Sequence, residues 1–143
     1  GAVLRKSSLS EYKNIRDGRF PYVTDLGCWL KLGQKFEFGL IKDAHAYWRT
    51  HADGITTAIK NRRLAKDNYD VMLDYWTNDA LPKYKHLKRK SMARTSLKCA
   101  RRTYVDKDYT ICILYLIKAL LWSPLASFHH VFEYIDELKN RKK

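Results

Sequence analysis

Between Lys83 and Arg102 the chain places nine cations, Lys83, Lys85, Lys88, Arg89, Lys90, Arg94, Lys98, Arg101 and Arg102, and not one acid. Ammonium and guanidinium groups at that density hold anions: phosphates, sulfates or carboxylates. A solvated helix face ordinarily mixes acids with bases, because opposite charges four residues apart support each other. Without acids, a binding surface is the stronger reading. The whole chain carries 28 Lys and Arg against 15 Asp and Glu over 143 residues, a net charge of +13. That balance points to an anionic partner: nucleic acid, an acidic membrane surface, or an acidic glycoprotein or polysaccharide.

Residues able to do bond chemistry are present but not arranged for it. There is no GxGxxG or GxxxxGK[ST] phosphate loop, no HExxH and no GxSxG. His129 and His130 with Glu133 include adjacent histidines, which point to different faces of a helix, and His45 and His51 lie six apart. Asp67, Asp70, Asp74 and Asp79 share a segment rich in cations, where salt bridges explain them. Cys28, Cys99 and Cys112 have no zinc-like spacing. An odd cysteine count suits either a reducing compartment or a secreted protein with at most one disulfide. The expectation is a protein that is not an enzyme, with no catalytic residues, metal, cofactor or small-molecule substrate.

Helices must carry these residues. Thr110-Ile111-Cys112-Ile113-Leu114-Tyr115-Leu116-Ile117-Lys118-Ala119-Leu120-Leu121-Trp122 is apolar on all sides apart from Thr110 and Lys118. A helix of that kind is buried among others or sits in lipid. At ~20 Å it is too short for ~30 Å of hydrocarbon. It is therefore expected at the centre of a bundle, stopped by Pro124. A helix from Thr24 or Asp25 to about His51 carries Leu26, Trp29, Leu30, Leu40, Ile41, Ala44, Tyr47 and Trp48, with a break near Gly33 allowed. Another runs from Ile55 to Leu81 with Ile55, Ala58, Ile59, Ala65, Tyr69, Met72, Trp76 and Ala80 on one stripe, ended by Pro82. Ala93, Leu97, Ala100 and Tyr104 give the cationic stretch a core-facing edge. Asp106-Lys107-Asp108 caps the apolar helix, and a last helix follows Pro124 through Phe128, Phe132, Ile135 and Leu138. Residues 1–23 are the least regular. No leader is expected in the chain, since Gly1 to Lys6 has no apolar core, as in a mature product that has shed one. The fold class is all-α, a single-domain bundle of about five helices spanning 1–143, with 45% hydrophobic residues to fill it.

The aromatic residues are numerous for so small a core. Trp29, Phe36, Phe38, Trp48, Trp122 and Phe128 are the candidates for exposed apolar contacts. Beside the cationic run they would form a surface that attracts anionic lipid and then inserts. Rings among cations, as in Tyr84-Lys85-His86, also stack on single-stranded nucleic acid. No helix-turn-helix, zinc-finger or ribonucleoprotein signature accompanies them, so charge alone carries that reading.

The stretches Asn61-Arg62-Arg63, Tyr69 to Trp76 and Asp79-Ala80-Leu81, on one long amphipathic helix, resemble the second helix of the abalone sperm lysin family. Phe38-Gly39-Leu40-Ile41-Lys42 with Arg49-Thr50 is similar to the end of that family's first helix, and Phe132 to Asn140 to its last. The resemblance covers residues 36 to 140 loosely. Three cysteines, a different N-terminus and a more apolar fourth helix depart from lysin and resemble its fusagenic acrosomal paralogue. The resemblance implies a monomeric or weakly dimeric five-helix bundle, not enzymatic, secreted from the sperm acrosomal vesicle. It implies fusion-promoting contact with the anionic egg plasma membrane, or, as in lysin itself, binding to egg-coat glycoprotein that dissolves the vitelline envelope.

Overall fold

The computed structural model describes residues 19–39 and 61–130, together with Ser7. Its regular structure there is all helical, with no strand among the described residues. Helix α1 is Thr24–Lys35, α2 Asn61–Asp74, α3 Lys88–Val105 and α4 Tyr109–Trp122. Helix α5 covers 124–130. The expectations for 1–18 other than Ser7, for 40–60 and for 131–143, including Trp48, His45, His51, Phe132 and Glu133, lie outside the described residues.

Helix α1 starts at Thr24 as expected and stops at Lys35, where Phe36 turns to extended geometry and its N–H closes on the Leu32 carbonyl. It crosses α2 closely at Gly27, where a Cβ would stand 3.2 Å from Val71 Cγ2. Helix α2 buries Leu64, Ala65, Tyr69 and Val71, and its last turn widens into a π turn, Tyr75–Asp79, that buries Trp76. Leu81 is held extended by the proline after it, and Pro82 opens a short 3-10 segment, Pro82–Leu87. The cationic stretch is thus not one helix. Its α-helical part begins only at Lys88.

Helix α3 packs through Met92, Ala93, Ser96, Cys99, Ala100 and Thr103. Most of these are small, so both neighbours approach its backbone. Ser96 Oγ donates to the Met92 carbonyl and Thr103 Oγ1 to the carbonyls of Cys99 and Ala100, so both hydroxyls are buried without loss. This corrects the sequence reading of the inner edge: Ala93 and Ala100 are buried, but Tyr104 is exposed and Leu97 only half-buried. The inner face lies about a fifth of a turn away from that line, because small polar residues join it and a large ring does not.

The α3–α4 turn is closed by two bonds, Asp108 N–H to the Thr103 carbonyl at 3.0 Å and Lys107 N–H to the Tyr104 carbonyl at 2.9 Å. This is a Schellman arrangement with Lys107 left-handed at φ 59°. Asp108 caps α4 by accepting from the Ile111 N–H. Asn61 Nδ2 donates to Asp106 Oδ1 at 2.6 Å, and Arg62 pairs with Asp108 at 3.4 Å, so the start of α2 is tied to the turn.

Helix α4 is not the centre of the described bundle. Only Cys112, Tyr115 and Ala119 are buried, and the remaining aliphatic residues from Ile113 to Leu121 are exposed. The central place between α2 and α4 belongs to the cationic helix α3. A helix apolar all round offers no sequence signal for which side packs, and the narrow row of small residues on α3 accommodates one side only. After α4, Ser123 is extended and Pro124 begins α5, whose buried Ser127 donates to the carbonyls of Ala119 and Ser123.

Candidate docking surface

At about 100° per residue, Lys90, Arg94, Lys98 and Arg101 fall on one outer line of α3, away from its buried row, over ~16 Å. All four are exposed, as are Lys83, Lys85 and Arg89. Lys88 and Arg102 are half-buried. Arg89 Nε donates to the Trp122 carbonyl at 2.9 Å, and Lys88 Nζ stands 5.8 Å from the Trp122 ring. Lys83 Nζ lies 4.8 Å over the Tyr84 ring. Asp106 and Asp108, which follow the cationic run, are engaged with Asn61 and Arg62.

The exposed side of α4 consists of Tyr109, Ile113, Leu114, Leu116, Ile117, Leu120 and Leu121, between 41% and 75% exposed, with Thr110 and Lys118 the exposed polar residues of the helix. Leu125 (86%) and Phe128 continue the apolar surface onto α5. Lys118, the single charge in α4, is exposed at the flank of this side, with its Nζ drawn over two rings, 4.3 Å from the Tyr69 centroid and 5.2 Å from that of Tyr115. The outer sides of α3 and α4 meet where exposed Tyr104 and Tyr109 pack edge to face at 5.8 Å. A cationic line and an aliphatic face therefore adjoin on one hairpin.

The six expected apolar contacts divide. Phe36, Phe38 and Phe128 are exposed. Trp29 and Trp122 are half-buried, which corrects their assignment as exposed. Trp29 packs edge to face with Phe38 at 6.4 Å, and Trp122 gives its indole N–H to Tyr69. Trp48 lies outside the described residues. The aliphatic face of α4 was missed, although its signal was present: a wholly apolar segment next to a wholly basic one.

The acids of α2 are mostly paired, Asp70 with Lys66 at 2.6 Å, Asp74 with Arg19 at 3.3 Å and Asp79 with Lys31 at 3.6 Å. The hydrogen bond and charge of Asp70 raise the Lys66 pKa. Asp67 departs from the expectation, since its Oδ2 is buried with no hydrogen-bond donor among the described residues. All three cysteines are buried. Cys99 Sγ donates to the Ala65 carbonyl at 3.1 Å, and burial pushes its pKa up to about 12, so it is held as an inert thiol.

Among the described residues no three His, Cys, Asp or Glu side chains converge as a metal site. A cavity lined by Arg19, Val23, Val71 and Tyr75 holds about 20 Å³, room for roughly one water. No helix of the described residues is long and apolar enough to cross a membrane. The geometry offers a surface, charged along one helix and apolar along the next. No protein-family model, curated protein or solved structure matches this chain.

Proposed function

We propose that this protein is a non-enzymatic, membrane-active protein that docks on anionic bilayers through the α3–α4 hairpin and perturbs them. The observation that carries the reading is the exposed aliphatic side of α4 adjoining the acid-free cationic line of α3. An exposed apolar patch of this kind is costly in water and marks a site of contact with lipid or protein. Each Lys or Arg near an anionic leaflet contributes ~1 kcal/mol of attraction, falling off within a Debye length. Apolar area then gains ~25 cal/mol per Å² as it leaves water. Attraction therefore comes first and insertion second.

The resemblance to abalone sperm acrosomal proteins extends the proposal. In that setting the chain is secreted from the acrosomal vesicle and promotes sperm–egg membrane fusion at the egg plasma membrane, acting as a monomer or weak dimer. A lysin-like role in dissolving the vitelline envelope is the second reading. It is favoured by the single straight line of Lys90, Arg94, Lys98 and Arg101, which suits an acidic glycoprotein. The apolar side of α4 beside these cations favours the first, since that pairing suits an anionic bilayer.

The test is lipid mixing and dye leakage with purified protein on anionic and on neutral vesicles, at low and high salt. Mixing and leakage on anionic vesicles, weakened by salt, are expected. Inert anionic vesicles would remove the membrane reading and turn attention to egg-coat glycoproteins.

A further inference from the structure

Resting on the membrane-docking reading above, we infer that α4 enters the bilayer as a fixed wedge, lying in the plane of one leaflet with the bundle intact, and that the protein therefore selects curved or loosely packed anionic membranes. Helix α4 is fastened at both ends. At its start the turn before it is held by Asn61 to Asp106, Arg62 to Asp108 and the Asp108 cap. At its end Trp122 donates to Tyr69 at 3.1 Å, its carbonyl accepts from Arg89, and Ser127 bonds the Ala119 carbonyl. Midway, Lys118 rests over Tyr69 and Tyr115.

Peeling α4 away to cross a membrane would break all of these ties. It would gain little, since ~20 Å of helix does not span ~30 Å of hydrocarbon. The outward face needs no such opening. Ile113, Leu116, Ile117, Leu120 and Leu121 already point to solvent, and at their flank the Lys118 Nζ is already drawn over two rings. An in-plane helix reaches only ~5–10 Å into the leaflet. It adds area to the outer leaflet and none to the inner. That asymmetry is relieved by positive curvature and is easiest where lipid packing is already loose.

Two readouts on the native protein test this, using vesicles of one anionic lipid mixture at ~30 nm and ~200 nm diameter, since in-plane insertion is curvature-sensitive. The first is the lipid concentration for half-maximal binding, expected to be several-fold lower on the small vesicles. The second is maleimide labelling of Cys28, Cys99 and Cys112, followed by mass spectrometry. All three thiols are buried, and they are expected to stay unlabelled on the membrane as in solution. Equal binding at both diameters overturns the wedge, and so does rapid labelling of Cys99 and Cys112 on bound protein, which would mean that α4 has peeled from α3. Either result leaves membrane docking itself standing. Absence of binding at both diameters removes docking and wedge together.

Discussion

Trp122 Nε1 donates to the Tyr69 hydroxyl at 3.1 Å, bridging the end of α4 to the middle of α2 across 53 residues of sequence. The same phenol ring receives Lys118 on its face, so one tyrosine fixes both the indole and the only charge of α4. Tyr69→Phe keeps the ring and its cation but leaves a part-buried indole N–H unpaired. We expect a loss of ~1–2 kcal/mol in stability, read as a lower urea midpoint with an unchanged slope. Trp122 emission should change in the folded state as its hydrogen bond is lost.

The α3–α4 turn carries a lysine where helix ends prefer glycine. Lys107 sits at φ 59°, a conformation in which a Cβ is crowded. Lys107→Gly is expected to stabilise the fold by ~0.5–1 kcal/mol, raising the melting temperature by ~2–4 °C. Lys107→Val, β-branched at a positive φ, should do the reverse. Calorimetry on the three proteins decides it.

Much of this was legible in the sequence, and the part that was not has a physical reason. The all-α class and the Asp108 cap follow from periodicity and capping chemistry, whereas the second helix, expected to run to Leu81, leaves α geometry after Asp74 and ends its π turn at Asp79, ahead of Pro82. The side on which α4 packs does not follow, because Ile113 and Cys112 are equally apolar in a sequence and only the partner helix separates them. That partner is recognisable afterwards by its small residues: Ala93, Ser96, Ala100 and Thr103 leave room for a helix, whereas Tyr104 does not. The basic run could be located by residue type alone. The candidate rings could not, since Trp29 and Trp122 have tertiary partners that no spacing rule reveals.

Cys99 links the core to pH. Its folded pKa of about 12 lies above the ordinary thiol value of 9.0, because burial disfavours the thiolate. A raised folded pKa means the unfolded chain ionises first. The stabilising contribution is complete below pH 9 and is lost as pH rises toward 12. From this thiol alone, stability should fall by about 1.4 kcal/mol per pH unit within that window. Denaturant midpoints under reducing conditions from pH 8 to 10.5 would measure the slope, and Cys99→Ala should make it shallower. Tyr115, whose pKa is also raised by burial, steepens the loss above pH 10 in both proteins.

The two halves of the docking surface should separate by mutation. Lys90, Arg94, Lys98 and Arg101 are exposed, so changing all four to Gln is expected to leave stability within ~0.5 kcal/mol per site. Affinity for anionic vesicles should drop by about five-fold per charge removed, at ~1 kcal/mol each, and its salt dependence should flatten. Ile117→Ser with Leu121→Ser removes apolar contact area and no charge. That variant should still be drawn to anionic vesicles at low salt, yet release little dye at equal bound protein, because attraction survives and insertion does not. If the serine variant leaked dye as well as the parent at matched binding, the aliphatic side of α4 would not be what enters the bilayer. The exposed Phe36, Phe38 and Phe128 would then be the residues to change next.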